Sequence, residues 1–292
     1  MLDRKQISPK SAGSVNPGAP HSRKARACAR VAAGMATLFS LAAVMLDPAY
    51  SDTPFEYGPG SPAAVYQKEG ITGMEMEMID DVYNGVMASQ DGSYCTETYY
   101  SLNINRDWAQ AIQACRFAYA QPKQILLYYD GTGSGRFRVS VAIDSTDMED
   151  VRVKEAAYHA EIDRLVTEAS GKNIGEKVLY FHDCLVGRCE YDDTFTKSQA
   201  YDCLINGLSV CNGYATAFYD LCRAAGLEAN YISGTAAVEG GGRISHAWNR
   251  VKMEDGQWRY YDVTWDDYTG SYQYYGLTEK EMSQDHFPEK VV

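Results

Sequence analysis

The sequence predicts an α+β fold in which a helix that begins at a cysteine packs on an antiparallel sheet. The segment CNGYATAFYDLCRAAG, which starts at Cys211, repeats apolar residues at helical spacing and ends at Gly226. Three strand-like segments follow it, EANYISGTA, ISHAWNRVKM and QWRYYDVTW, and the turn EDG joins the last two as a hairpin. A helix followed by successive strands is typical of an α+β domain.

The first fifty residues differ from the rest of the chain in charge. They contain seven Lys or Arg residues and two acidic residues, whereas the whole chain of 292 residues has a formal net charge of −12. An apolar run from Val31 to Leu46 follows, and Ala49 and Ser51 are small residues spaced as in a signal-peptidase site. We expect residues 1–51 to be a signal peptide, with a retained N-terminal anchor as the alternative. The protein would then be secreted or held at the cell surface, with no integral membrane span in the mature chain.

The segments after this leader are assigned in order. Residues 52–71 are rich in Pro and Gly and predict a linker. Residues 72–150 predict a small α+β region, with helical patterns in MEMEMIDDVYNGVM and DWAQAIQACRFAYA and strand-like runs in CTETYYSLNI, QILLYYD and RFRVSVAID. Residues 151–292 form the predicted main domain, which opens with helices from Val151 to Ala169 and from about Gly175 to Cys189.

The acidic balance of the chain restricts its partners. Nucleic acid and anionic membrane surfaces recruit clustered Lys and Arg side chains, because these replace counterions. A net charge of −12 therefore argues against both classes of partner.

Cysteine spacing argues against a metal site. Of the eight cysteines, one lies in the leader, and no pair among the other seven has CxxC spacing. We therefore predict no metal and no cofactor. An odd number of cysteines in an exported chain leaves at least one thiol unpaired, and the candidate disulfides are Cys184–Cys189 and Cys95–Cys115.

Cys211, His246 and Asp262 are the residues whose types and order predict chemistry. A thiol attacks an acyl carbon as the thiolate, and a helix start stabilises that anion through its free N–H groups and dipole. A histidine can move the proton, and a carboxylate can orient the histidine. Counted from the turn at Glu254–Gly256, His246 and Asp262 face each other across the hairpin, so we predict a cross-strand pair.

Each of these residue types also has a purely structural interpretation. A buried cysteine on an apolar helix is usually a core residue, which we predict for Cys203 and Cys222, with a disulfide as the alternative. Cys211 differs because Asn-Gly follows it directly and places it at the helix start. The remaining histidines of the mature chain are predicted to have no comparable carboxylate partner: His159, His182 and His286.

The same segments resemble a known family. VCNGYA at Val210–Ala215, HAWN at His246–Asn249 and DVTWDD at Asp262–Asp267 are similar to motifs of the bacterial transglutaminase-like superfamily, whose members have a papain-like fold. The resemblance extends upstream to FHDCLVGRCEYDD and downstream to YYGLTEKEMSQDH. It implies a papain/transglutaminase-like core preceded by the small N-terminal α+β region.

The resemblance also implies roles for individual residues. Cys211 would be the nucleophile, His246 the general base and acid, and Asp262 the residue that orients the histidine. Tyr191, in the family-like EYDD segment, and Trp248, on the same strand face as His246, are candidate substrate-binding residues. For Trp248, packing beneath the sheet is the alternative, and the segment Trp-Asp-Asp that follows Thr264 is interpreted as architectural.

These features predict an exported cysteine enzyme that performs acyl transfer through a Cys thioester at a carboxamide or peptide bond. Its substrate would be a protein, a peptide or cell-wall peptide. Resolution of the thioester by water would make it a peptidase or amidase, and resolution by an amine would make it a transamidase. The alternative is a non-catalytic extracellular or cell-wall binding module on the same fold.

Overall fold

The computed structural model describes residues 73–101, 117–145, 147–238 and 240–291. The predicted signal peptide and linker lie outside these residues. So does most of the helix predicted at 107–120, of which only residues 117–120 are described, and these are not helical. No helix within the described ranges is both long enough and apolar enough to span a bilayer.

The N-terminal region combines one helix with a three-stranded antiparallel sheet. Helix α1 buries Met78, Val82 and Val86, which repeat every four residues as the sequence predicted. The central strand of the sheet is β3, and a Gly-rich turn joins it to β2. These elements are α1 (Gly73–Ala88), β1 (Ser93–Cys95), β2 (Pro122–Tyr129) and β3 (Phe137–Ile143). The strand predicted at CTETYYSLNI is wrong over its described part, because β1 ends at Cys95 and only an isolated bridge from Tyr100 to Phe137 follows. The last three residues of that segment lie outside the described residues.

The main region packs helices on a five-stranded antiparallel sheet, so the predicted α+β class is confirmed. The strand order is β10-β6-β7-β8-β9. Its helices are α2 (Met148–Glu168), α3 (Ile174–Val186), α4 (Cys211–Ala224), α5 (Val263–Thr269) and α6 (Glu279–Met282). The sheet strands are β6 (Ala229–Val238), β7 (Gly242–Lys252), β8 (Trp258–Tyr261), β9 (Tyr275–Leu277) and β10 (His286–Val291). A short parallel pair, β4 (Glu190–Tyr191) and β5 (Leu208–Ser209), flanks a π-helix at Asp202–Asn206.

Polar caps fix where the two long helices of this region begin. The Asp147 side chain accepts hydrogen bonds from the first backbone N–H groups of α2. Asn173 and Glu176 form a capping box at the start of α3. The two helix starts therefore lie within three residues of the predicted positions.

Helix α4 is the centre of the main hydrophobic core. Its residues Phe218, Leu221 and Cys222 are fully buried, and the same core includes residues of α1, α2, α3 and the N-terminal sheet. Cys203 and Cys222 are both core residues, as predicted. One apolar cluster thus connects the N-terminal region with the helix that begins at Cys211.

The predicted cross-strand pair of His246 with Asp262 is wrong. The β7–β8 register pairs Asn249 with Tyr261, and β8 ends there. Asp262 is instead the N-cap of α5, where its side chain accepts a hydrogen bond from the backbone N–H of Trp265 at 3.1 Å. Aspartate is disfavoured in strands and favoured at N-caps, so the last strand of the hairpin stops four residues short of its predicted end.

Candidate active site

Cys211 is the first residue of α4, as the sequence predicted. The preceding N-cap, Val210, has extended backbone and no side chain that caps the helix, so the free N–H groups of the first turn are not occupied by a capping side chain. Gly213 lets this turn approach the 199–209 segment, since a Cβ at that position would lie 2.6 Å from the backbone oxygen of Gln199 and would collide with Ser209. Because Cys211 is the first residue of α4, its thiol lies at the N-terminal end of the helix dipole, where a negative charge is stabilised.

Asn212 anchors the helix start to its surroundings. Its side-chain amide donates to the backbone oxygen of Ser198 at 2.7 Å, and its amide oxygen accepts from the hydroxyl of Tyr231 on β6 at 2.8 Å. Both the amide nitrogen and the amide oxygen of Asn212 are therefore hydrogen-bonded within the protein.

His246 lies between the thiol and a buried carboxylate. Its Nε2 is 2.6 Å from Oδ2 of Asp262, which leaves Nδ1 as the free ring nitrogen, and Cys211 lies near enough to contribute to the raised pKa of His246. Ala215 and Ala247 pack around the cysteine. The structure thus brings together all three residues that the sequence singled out.

The electrostatics of this pair favour an imidazolium beside a carboxylate. Burial lowers the pKa of His246, but the charge and hydrogen bond of Asp262, with a smaller contribution from Cys211, outweigh burial and raise that pKa to about 10. Burial raises the pKa of Asp262, yet the charge and hydrogen bonds of His246 and His286 hold it well below the usual value. An imidazolium held in this way can stabilise a thiolate.

Two tryptophans flank the imidazole. Trp265 is half-buried and stacks on His246, with ring centroids 5.0 Å apart and planes inclined by 29°. Trp248 does lie near His246, at 6.1 Å between ring centroids, but it is only 1% exposed and packs edge-on against His286. Trp265 therefore has more surface to offer a substrate than Trp248, whose substrate-binding role stays a prediction.

His286 contacts the candidate site, and the sequence interpretation missed it. It was predicted to have no carboxylate partner, which is wrong: its Nε2 lies 3.1 Å from Oδ2 of Asp262, and its Nδ1 lies 2.6 Å from Oδ1 of Asp285. The available signal was the adjacent Asp-His pair at the end of the family-like YYGLTEKEMSQDH segment.

The two other histidines also have partners. His182 bonds to Asp266 at 3.2 Å and to Asp183 at 3.0 Å, so the prediction that it lacked a carboxylate is likewise wrong. His159 is 3.3 Å from the hydroxyl of Tyr83 and forms a long ion-pair contact of 3.8 Å with Glu155.

The acidic residues of DVTWDD have structural partners. Asp266 accepts from the backbone N–H of Tyr274 at 2.7 Å in addition to its contact with His182. Asp267 accepts from the hydroxyl of Tyr214 at 2.8 Å. The architectural interpretation of this acidic pair is confirmed.

One group in the described ranges has the residue types and spacing to hold a metal ion. His246, Asp262 and His286 each offer a ligand atom, and these atoms lie within 4.8 Å of one another. Both imidazole Nε2 atoms already lie at hydrogen-bond distance from the same carboxylate oxygen, and all three residues are buried. This arrangement is satisfied by hydrogen bonds alone, and the absence of a metal stays a prediction.

Tyr191 and the remaining cysteines are less directly connected to Cys211. Tyr191 lies on β4, paired with Ser209 two residues before the nucleophile candidate, and its ring meets Phe195 edge-on at 6.3 Å. Its substrate-binding role stays a prediction. The cysteines in the described ranges are free thiols, so the Cys184–Cys189 bridge is not formed, and the Cys95–Cys115 bridge includes a residue outside those ranges.

Comparison with known proteins identifies the region that contains this site. Residues 160–263 match the family model of the transglutaminase-like superfamily. The kyphoscoliosis peptidases of Homo sapiens and Mus musculus are each 33% identical to this chain over 97 residues, which cover 27% of this chain and 14% of theirs. The chain thus spans about one seventh of these relatives.

Two solved structures are similar to part of this chain at low identity and low TM-score. A candidate cysteine protease of Cytophaga hutchinsonii is 18% identical, with a TM-score of 0.32, over 58% of this chain and 66% of its own. The periplasmic domain of TgpA from Pseudomonas aeruginosa is 17% identical, with a TM-score of 0.33, over 57% of this chain and 67% of its own. The family match covers Cys211, His246 and Asp262, and this part of the chain is a domain of the transglutaminase-like superfamily.

Proposed function

We propose that this domain is a cysteine enzyme that transfers an acyl group through a thioester on Cys211. The observation that carries the proposal is the continuous contact from a thiol at a helix start, through His246, to the buried carboxylate of Asp262. Nucleophile, proton carrier and orienting carboxylate are the three parts that thiol-based acyl transfer requires.

In the first step, the thiolate of Cys211 would attack the carbonyl carbon of a carboxamide or peptide bond. A C–S bond forms, the carbonyl electrons move to oxygen, and the backbone N–H of Cys211 would stabilise that oxyanion. Collapse of the intermediate breaks the C–N bond, and the imidazolium of His246 gives its proton to the departing amine or ammonia. A thioester remains on the enzyme.

In the second step, water or a primary amine would attack this thioester, with the now neutral His246 accepting the proton of the nucleophile. Water gives hydrolysis, and an amine gives a new amide. The name of the matched relatives, kyphoscoliosis peptidase, supports hydrolysis of a peptide bond as the first outcome to test.

The decisive experiment measures alkylation of the purified chain by iodoacetamide at pH 6, with each modified cysteine mapped by mass spectrometry. Cys211 should react at least about tenfold faster than the same cysteine in denatured protein, because an ordinary thiol of pKa about 8.5 is almost entirely protonated at that pH. Equal rates would contradict the proposal and favour the non-catalytic binding module.

A second experiment tests turnover with glutamine peptides, with and without a primary amine. Ammonia release by the wild type that is lost in Cys211→Ala supports catalysis, and incorporation of the amine identifies transamidation. Cys222→Ala is the matched control for loss of a thiol, since Cys222 lies in the core of the same helix.

We also propose that the chain is exported and that its N-terminal leader is removed. The basic stretch, the apolar run and the small residues at Ala49 and Ser51 support this. N-terminal sequencing of protein from the growth medium or cell envelope should give a first residue near 52, whereas an intact N-terminus would support a retained anchor.

A further inference from the structure

His286 lies between two carboxylates, and one of them belongs to the proposed active site. It is 1% exposed, with Nε2 facing Oδ2 of Asp262 at 3.1 Å and Nδ1 facing Oδ1 of Asp285 at 2.6 Å. A neutral imidazole has one N–H donor, so both contacts are satisfied only when the ring carries two protons or when one carboxyl group is protonated. The hydrogen bonds of His286 therefore depend on the charge of both carboxylates, Asp262 and Asp285.

The carboxylate of Asp262 is held by three donors. Oδ2 lies within hydrogen-bond distance of both His246 and His286, and Oδ1 accepts from the backbone N–H of Trp265. The Trp265 contact and the His286 contact fix the plane of the carboxylate independently of His246. This is how an outer group orients a functional carboxylate.

The chain of contacts continues to the protein surface. The Asp285 side chain is 32% exposed, and its Oδ2 accepts from the hydroxyl of Tyr274 at 2.9 Å. A continuous path therefore runs from Cys211 through His246, Asp262 and His286 to a carboxylate that solvent can reach.

Small residues on β6 make room for this path. His246 on β7 is paired with Gly234, and His286 on β10 is paired with Ala236, so the two imidazoles approach across a strand that has little side-chain volume. A Cβ at Gly234 would lie 2.9 Å from the ring of Trp248 and would collide with the backbone of β10. The ring centroids of His246 and His286 lie 5.5 Å apart.

We propose that His286 is a positioning residue for Asp262, and that Asp285 transmits surface charge through it to the Cys211–His246 pair. This inference rests on the proposed function, because it concerns the reactivity of the same thiol. His286 does not contact the thiol; it acts by holding the carboxylate that holds His246.

The direction of the charge effect follows from the groups around the path. Those groups are Cys211, His246, Asp262, Asp266, Tyr274 and Asp285. Removing the negative charge of Asp285 favours the thiolate and disfavours the imidazolium. Both ionisations of the Cys–His pair should therefore move to lower pH.

The test is the rate of Cys211 alkylation by iodoacetamide in the full chain, measured from pH 4 to pH 10. His286→Phe fills the aromatic site but donates to neither carboxylate, and we expect a rate about threefold or more below wild type at pH 6. His286→Gln can still donate to Asp262 and should keep more of the rate than His286→Phe. Asp285→Asn should move the acidic limb of the profile to lower pH by roughly half a unit.

Asp183→Asn is the matched control for Asp285→Asn. Asp183 is also part-exposed, at 46%, and also joins a buried histidine to a tyrosine hydroxyl, but that histidine does not touch Asp262. It should shift the profile by less than half as much. Equal shifts in both variants would reduce the effect to general surface charge and overturn the inference.

The remaining outcomes separate this inference from the proposed function. A reactive wild-type Cys211 whose profile is unchanged in both His286→Phe and Asp285→Asn would overturn the positioning role and leave the enzyme proposal intact. A wild-type Cys211 no faster than the denatured thiol would overturn both. Dialysis against EDTA should leave the wild-type profile unchanged; a change would assign His246, Asp262 and His286 to a metal ion instead.

Discussion

Two hydrogen-bonded chains in this domain have the same order of four residues, Tyr–Asp–His–Asp, and each runs from a part-exposed aspartate to a buried one. In one, Tyr274 donates to Asp285, which contacts His286, which contacts Asp262. In the other, Tyr272 donates to Asp183, which contacts His182, which contacts Asp266. The inner carboxylates lie on the same short segment, four residues apart. Only the first chain continues to His246 and Cys211.

The inner carboxylates of the two chains differ in their electrostatics. His246 and His286 together outweigh burial and lower the pKa of Asp262. Asp266 meets one histidine and one backbone N–H, and burial prevails, so its pKa is raised above 3.8. A buried His–Asp pair is therefore not by itself evidence of catalysis. The candidate site differs from the Asp266 pair in two ways: Asp262 contacts a second imidazole, and the thiol of Cys211 lies beyond His246.

The largest expected difference between the chains is in the pH dependence of stability. For Asp262, whose folded pKa is lowered, the stabilisation is present above the unfolded value of 3.8 and is lost as pH falls through the folded pKa. For His246, whose pKa rises from 6.5 to about 10, the stabilisation is full below 6.5 and is lost as pH rises through the folded value. Between pH 3.8 and pH 6.5 both contributions are present, so Asp262→Asn should lower the free energy of unfolding most in that range, by about 3–5 kcal/mol.

Asp266→Asn should show the opposite trend in acid. Because the folded pKa of Asp266 is raised, wild type loses stability as pH rises through that value. From pH 3 to pH 5 the gap between wild type and Asp262→Asn should widen, and the gap to Asp266→Asn should narrow. Urea denaturation at each pH measures both, and parallel curves would refute the contrast.

A smaller but more specific effect is expected on thiol reactivity. His246→Gln removes the imidazolium beside Cys211, so alkylation of this cysteine at pH 6 should slow by about tenfold or more. His182→Gln leaves that contact in place and should slow alkylation by less than about twofold, while lowering the melting temperature. If both variants slowed the alkylation of Cys211 equally, the His246–Asp262 pair could not be distinguished from the structural His182–Asp266 pair.

The smallest effect should come from the outer tyrosines. Tyr274→Phe and Tyr272→Phe each remove one hydroxyl that donates to a part-exposed aspartate, at 2.9 Å and 2.8 Å. Each should cost about 0.5–1.5 kcal/mol of stability. Only Tyr274→Phe should alter the pH profile of Cys211 alkylation, and a shift in the Tyr272→Phe profile would argue against separate chains.

The sequence was sufficient for features that depend on local pattern. Apolar spacing located α1, α2 and α4, and the Asn-Gly after Cys211 placed that residue at a helix start. Alternation and turn residues located the β7–β8 hairpin, because strand period and turn chemistry are both local properties. Cys211, His246 and Asp262 were singled out by residue type and by the local motifs VCNGYA, HAWN and DVTWDD, and their catalytic roles stay a proposal.

What the sequence did not provide depends on register and on contacts across strands. Asp262 was placed opposite His246, although β8 ends at Tyr261, opposite Asn249, and the aspartate reaches the imidazole from a helix cap. His286 was passed over because its partners lie on α5 and in the turn before β10, and nothing local shows that β10 pairs with β6. Trp265 was interpreted as architectural, since its stacking on His246 appears only when α5 turns back over the sheet.

The position of β10 at the edge of the five-stranded sheet has a consequence for fluctuations of the folded protein. An edge strand has one paired neighbour, here β6, so its opening breaks fewer contacts than opening of an interior strand. Detachment of β10 would carry His286 away from Asp262 while α4 and β7 stay in place. Amide exchange along β10 would then report how often the thiol loses its outermost support without any unfolding of the core.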